Sequence, residues 1–218
     1  MAVPQQPKIY HILHTDRLAS VLADGGLWSD AMAQHHGSPG TTIGMSAIKQ
    51  RRLTTPLTSH ATLKVGQCVP FYFCPRSIML YLIYQGNHPE LTYRGGQGPI
   101  VHLECDLRAS IAWADENKRR WAFTLSNAGS FYFEDRAHVS QLGEINWEAV
   151  VANRWSGNGV DRSIKEGKQA EFLVEESFPW GLVERIGVHS LAVYQEVSNL
   201  LAGKAHRPRL EVLREWYY

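Results

Sequence analysis

The chain has 218 residues, 44% of them hydrophobic, enough apolar material for a buried core without disulfides or a structural metal. Its formal net charge is +1, so no global field points to a polyanion, and a nucleic-acid surface would have to be a local patch. Cys68, Cys74 and Cys105 make no even disulfide framework and fit a reducing compartment. The first residues show neither a basic nor an apolar leader region, and no apolar run approaches a membrane-spanning length, so a soluble, cytoplasmic protein of one domain, residues 1–218, is expected.

Residues 8–13 predict a short strand. Thr15 then reads as an N-cap, with Leu18, Val21 and Leu22 at helical spacing and Gly25-Gly26 as the stop. Residues 29–42, rich in His, Gly and Ser, read as a loop or short helix, and 48–52 as a short cationic element. Residues 69–73 predict a strand, and Pro75-Arg76-Ser77 opens a helical turn running into 79–84. A strand follows at 100–105. Residues 121–124 and 131–133 read as short aromatic strands or turns around Asn127. A helix is expected at 145–155, strands at 172–174 and 186–188, a helix at 194–201 and a short final element at 210–218. The sum is an α+β fold: many short strands, helices inserted among them, and no regular βαβ alternation.

Common chemical signatures are missing. There is no GxGxxG after a strand, no phosphate loop of the Gly-x4-Gly-Lys-Ser/Thr type and no Gly-x-Ser-x-Gly elbow. The spacing of Cys68, Cys74 and His35-His36 matches no common ligand set, so no metal is expected.

Glu171 stands out instead. Residues 168–174 read as a strand that starts polar and runs into the core, and a carboxylate at the mouth of a buried strand is costly to desolvate unless something uses it. Gln169 and Glu171 are two apart, so in a strand both side chains leave on one face, just after a polar, Gly-containing loop at 156–167. The plain alternative is an edge-strand glutamate that reaches solvent. His11 and His14 bracket the end of the first strand, where an imidazole can bond a ribose hydroxyl and free backbone groups a carboxamide. Lys49-Gln50-Arg51-Arg52 is either a solvated face or a run in which one Arg turns inward to hold a diphosphate or position a nucleophile. Residues 71–77, 118–121 and 131–133 mix rings with cations. Most of those rings belong in a core, and a few could stack on unpaired bases.

Taken in order, Tyr10-His11-Ile12-Leu13-His14, Leu18, Gly26-Leu27, Ile48-Lys49-Gln50-Arg51-Arg52, Phe71-Tyr72-Phe73-Cys74-Pro75-Arg76-Ser77-Ile78-Met79-Leu80-Tyr81 and Gln169-Ala170-Glu171-Phe172-Leu173-Val174 resemble the DarT family. Its members are toxins of DarT/DarG toxin–antitoxin systems and ADP-ribosylate bases in single-stranded DNA. The resemblance runs from about residue 8 to about residue 190. It implies the split antiparallel sheets, with inserted helices, of ADP-ribosyltransferases, with Glu171 and an arginine of the 51–52 pair as catalytic groups. Arg51 is taken as the inward one. NAD is implied as the substrate, its pocket mapping onto His11, Ile12, Leu13, His14, Ser20 and Arg51. DNA contacts fall to Tyr72, Arg76, Arg154, Lys165, Lys168 and Gln169. Leu13 stands where the family commonly has Thr, and Ile78 where it commonly has Pro.

The expected activity is transfer of ADP-ribose from NAD to a base of single-stranded DNA, thymine favoured over guanine. A monomer and a cognate antitoxin of the DarG type, with ADP-ribosyl hydrolase activity, are implied with it. The alternatives are an idle single-strand-binding domain and a transferase acting on protein or RNA. Residues 154–168 carry four cations (Arg154, Arg162, Lys165, Lys168) against Asp161 and Glu166, which suits a nucleic-acid acceptor better than an acidic protein.

Overall fold

The computed structural model describes residues 1–37 and 39–218. Its strands are β1 (Lys8–His14), β2 (Gly26–Trp28), β3 (Cys68–Tyr72), β4 (Ile100–Asp106), β5 (Trp121–Thr124), β6 (Asp135–Arg136), β7 (Glu171–Glu175), β8 (Ser177–Pro179), β9 (Val183–Val188) and β10 (Arg209–Val212). Its helices are α1 (Leu18–Asp24), α2 (Asp30–His36), α3 (Ser46–Arg52), α4 (Ile78–Gln85), α5 (Leu107–Glu116), α6 (Trp147–Val151), α7 (Arg162–Gly167) and α8 (Leu191–Leu201). Among the described residues one sheet runs in the order β10-β9-β4-β1-β3-β7-β5-β6, and β2 pairs with β8 in a separate ribbon. Neighbours are antiparallel except β9 with β10.

The large sheet is nearly two. β1 pairs with β4 along its whole length, from Lys8↔Asp106 to His14↔Ile100, but meets β3 at a single pair, Tyr10↔Tyr72. Past that pair the two strands part, giving the split arrangement expected. Pro70 supplies a reason. Where antiparallel neighbours bond, a residue's N–H and C=O point to the same side. The Pro70 carbonyl faces β1 and accepts from His11 Nδ1 at 2.8 Å, so the absent N–H falls on that side too. With no donor there the ladder cannot continue, and a side chain takes the carbonyl instead.

Both faces of the central strands are covered. From β7, Phe172 and Val174 enter the main core, where the Phe71 ring lies 6.3 Å from Phe172 and 4.6 Å from Phe178. Leu173 leaves on the opposite face into a smaller cluster with Leu57, Leu63, Val65, Cys68, Ala122 and Ala128. By the two-residue period of a strand, Glu171 shares that second face.

Several elements differ from expectation. The first helix is preceded by a 3-10 turn, Thr15–Arg17, whose cap is the His14 imidazole rather than Thr15. Residues 29–42 contain α2, capped by Ser29. α5, capped by Asp106 and burying Leu107, Ile111 and Ala114 along one stripe, has no counterpart among the expected elements. α6 stops at Val151, short of 155. Residues 131–133 form no strand, and the final sheet strand on that edge is β6. The polar stretch at 156–167 ends in α7, capped by Asp161. Gly167 lies so close to α6 that a Cβ there would sit 2.8 Å from Asn146 Cβ. β7 therefore starts at Glu171, with Lys168 and Gln169 in the turn before it.

One buried group fixes the approach to α4. His102 is fully buried between Trp216 and Tyr217, and its Nε2 donates to Pro75 O at 3.0 Å. Burial lowers its pKa from 6.5 to about 4. The folded state then holds fewer protons than the unfolded chain between those values, so this contribution to stability is present above pH 6.5 and is lost as pH falls through about 4. The urea midpoint should drop between pH 7 and pH 5. His102→Gln, less stable at pH 7, should show a flatter dependence over the same range. Parallel pH profiles for the two proteins would contradict the assignment.

Candidate active site

The cleft where β1 and β3 part is lined by His11, Ile12 and Leu13 from β1, Ser20 from α1, Leu27 and Trp28 from β2, Tyr72 from β3, and Arg52, Asn127 and Glu171. Glu171, 2% exposed, lies at its inner wall. Its Oε1 accepts from Ala128 N–H at 3.2 Å and Arg52 Nη1 at 3.1 Å, and its Oε2 from Arg52 Nη1 and Nη2 at 3.0 and 2.9 Å. This is a buried, two-pronged carboxylate–guanidinium pair. Burial, the largest influence, pulls the Arg52 pKa down, but the charge of Glu171 and its hydrogen bonds together outweigh it, and the net direction is up.

The inward arginine is Arg52, not Arg51. Successive residues on a helix do not face the same way, and α3 is phased so that its last residue reaches Glu171. Arg51 Nη2 instead donates to Gly129 O, with its guanidinium carbon 4.9 Å from the centre of the Phe131 ring. Arg51 is absent from the residues that line the cleft. Gly66 lets α3 sit there, since a Cβ at 66 would lie 2.7 Å from Leu53 N and 2.9 Å from Arg52 C.

His11 donates from Nδ1 to Pro70 O, because a carbonyl can only accept, and this leaves Nε2 as the acceptor. Burial lowers its pKa from 6.5 to about 4, so it is neutral near pH 7. Ser20 lines the cleft while its Oγ donates to Arg17 O at 2.8 Å. His14 does not line it. Its ring packs edge-on against Tyr93 at 5.8 Å, and its Nδ1 accepts from Asp16 N–H at 3.3 Å. Two further cations reach the cleft and were not singled out from the sequence. Arg17 ends the 3-10 turn, and Lys49 is held by Asp30 at 2.6 Å. Charge in a polar helix end gives no sequence signal of which way it points.

Comparison with known proteins identifies the family to which this fold belongs. Residues 10–218 match the family model described as "ssDNA thymidine ADP-ribosyltransferase, DarT". A DNA ADP-ribosyl transferase of Thermus sp. (strain 2.9) is 36% identical over 224 residues, covering 99% of this chain and 98% of that protein. The chain belongs to the DarT family. The solved Thermus sp. 2.9 DarT in complex with ADP-ribosylated ssDNA is similar at a TM-score of 0.88 and 33% identity, covering 100% of this chain and 99% of that one. The same protein in complex with NAD+ gives 0.83 at 33% identity, with both chains covered in full.

Within this DarT-family fold the six expected DNA contacts scatter. Tyr72 stands opposite Glu171 in the β3–β7 register and lines the cleft; burial raises its phenol pKa, and the Glu171 charge adds to that. Arg76 lies outside the cleft lining, its guanidinium carbon 4.3 Å from the centre of the Tyr218 ring. Arg154 is exposed and donates to Asn158 O at 3.2 Å, and Lys165 is half-buried on α7. Lys168 is not a surface cation. It is 4% exposed, and its Nζ donates to Val150 O and Ala152 O at 2.7 and 2.9 Å, tying off the end of α6. Gln169 is outside the strand, so the shared-face reading of Gln169 and Glu171 fails, yet both converge on one loop. Gln169 Oε1 accepts from Asn127 Nδ2 at 3.0 Å, next to the Ala128 N–H that binds Glu171. Asn127 is the cleft residue that only its position beside the expected aromatic elements hinted at.

Removing Arg52 leaves a buried carboxylate without its counter-charge. Arg52→Ala should lower folding stability by about 3–5 kcal/mol, and Arg51→Ala by about 1 kcal/mol, the scale of one surface-side hydrogen bond. Urea unfolding of the two variants measures this, and an equal or larger loss for Arg51→Ala would reverse the assignment.

Proposed function

We propose that this chain transfers ADP-ribose from NAD+ to a thymine base in single-stranded DNA and releases nicotinamide. The observation that carries the reading is a carboxylate fixed in a split-sheet cleft by a guanidinium and a backbone N–H. Family membership and the DNA- and NAD+-bound relatives support it. Glu171 is the catalytic carboxylate and Arg52 the arginine that holds it. The bond from nicotinamide to ribose breaks and its electron pair leaves with nicotinamide. The ribose carbon gains positive character, which the fixed Glu171 carboxylate stabilises. A ring nitrogen of the base then bonds to that carbon and its proton is released to solvent water. Neutral His11, with Nε2 as acceptor, holds a ribose hydroxyl, and Arg17 and Lys49 supply positive charge for the diphosphate. Arg51 braces the loop at Gly129 beside the acceptor.

The whole chain is one catalytic unit, a reading supported by a sheet to which both β1 and β10 contribute. It acts in the cytoplasm as a monomer, opposed by a cognate antitoxin of the DarG type with ADP-ribosyl hydrolase activity. Family membership supports the compartment and the antitoxin. Among the described residues no helix is long and apolar enough to cross a membrane.

Glu171→Gln removes the charge and leaves the Arg52 guanidinium without its counter-charge, so it should lower the urea midpoint as well, and the protein that remains folded should lose on the order of 100-fold or more in transfer rate. Mass analysis of oligonucleotides differing only in one base reads both rate and target. Near wild-type transfer by Glu171→Gln would remove the carboxylate from the mechanism, and modification of guanine in preference to thymine would correct the acceptor. The same strand annealed to its complement should be a poor acceptor, because flipping a paired base costs a few kcal/mol.

Salt dependence separates the solvent-accessible cations Arg154 and Lys165 from the buried Lys168. Arg154→Ala or Lys165→Ala should flatten the slope of log affinity against log salt by roughly 0.7 for single-stranded DNA. Lys168→Met should destabilise the fold and leave the slope as it is. Equal slopes for all three would mean that Arg154 and Lys165 touch no phosphate.

A further inference from the structure

The loop joining β5 to β6 carries the two most exposed large apolar side chains among the described residues, Phe131 at 81% and Tyr132 at 93%. Its root is rigid. Gly129 N–H donates to Asn127 Oδ1 at 2.7 Å, Ser130 N–H to Asn127 O at 3.0 Å, and Leu125 N–H to Glu134 O at 2.9 Å. That root reaches the active site, since Asn127 lines the cleft and Ala128 N–H bonds Glu171. At the tip the Arg51 guanidinium lies against the Phe131 ring, and both rings remain largely exposed among the described residues.

Two adjacent aromatic rings left in water on a braced loop are unfavourable unless something flat is laid on them. Behind them runs a second groove, bounded by Thr55, Pro56, Leu125 and Phe133 and by Arg162 of α7. Its carboxylates are paired, Glu134 and Glu144 with Arg136 and Glu166 with Arg162. The groove thus presents ring faces and little free charge of either sign. It suits stacking better than phosphate binding.

We infer that Phe131 and Tyr132 form a stacking platform for an unpaired base flanking the acceptor base, an inference that rests on the DNA-modifying reading above. Every base has a π-face, so the platform adds affinity with little sequence preference. It sits on the loop that also grips the carboxylate, which ties strand docking to the geometry of Glu171.

The test uses Tyr132→Ala, the double variant with Phe131→Ala, and Tyr132→Trp, each assayed on a thymine-containing dinucleotide and on an acceptor of about ten nucleotides. The alanine variants should raise the KM for the longer acceptor about tenfold, several times more than the KM for NAD+ or for the dinucleotide. Tyr132→Trp should restore the longer acceptor, and its indole fluorescence should be quenched on binding. The salt slope should not change, because no phosphate contact is lost. An unchanged KM for the longer acceptor, an equal rise for NAD+ or the dinucleotide, or no rescue by tryptophan would overturn the platform. Wild-type protein that transfers to no oligonucleotide would instead remove the reading on which the platform rests.

Discussion

Arg52 and Glu171 lie 119 residues apart in sequence and meet through three hydrogen bonds with both side chains largely buried. Neither charge is tolerable there alone. The phase of α3, the start of β7 and the path of residues 127–129 must therefore all be right together. A buried pair of this kind is a poor source of net stability compared with apolar side chains of similar volume. Its meaning comes from its place, since the carboxylate that the guanidinium holds still faces the cleft.

A second buried carboxylate stands on the other side of the split. Glu104, 4% exposed, accepts from Arg185 Nε and Nη2 at 2.8 Å each and from Tyr10 OH at 2.9 Å. Tyr10 and Tyr72 form the one pair joining β1 to β3, and each also stands opposite one of the two carboxylates, Glu104 and Glu171. The seam between the half-sheets is thus flanked by two anchored ion pairs. Burial and then the Glu104 charge raise the Tyr10 pKa, so its phenol stays a donor. The seam is stiff where it holds and open where it does not.

Much of this was legible in the sequence, for identifiable reasons. A glutamate leading into Phe172-Leu173-Val174 is chemically conspicuous, because an apolar run makes its burial visible. The two-residue period carried less far. It assumed a strand from 168, while the helix at 162–167 and the contact of Gly167 with α6 moved the start to Glu171. Arg51 and Arg52 were indistinguishable from composition, since helix phase is set by what α3 packs on. Lys168 read as a surface cation because lysine usually is one, and only the carbonyls of Val150 and Ala152, nearly twenty residues back, reveal its use. α5 was written in Asp106, Leu107, Ile111 and Ala114, but a strand running directly into its cap masked the boundary.

Pro70 also bears on the energetics of the cleft. Two facing strands ordinarily gain a hydrogen bond for each ladder step they close. At position 70 the covalent structure of an imino acid withholds that gain, and His11 already occupies the carbonyl. Zipping the half-sheets together would offer the backbone no compensation for the contacts it displaced. A dinucleotide seated between the two strands displaces no backbone ladder at this position. Affinity that would otherwise go into opening the site is retained for holding the ligand.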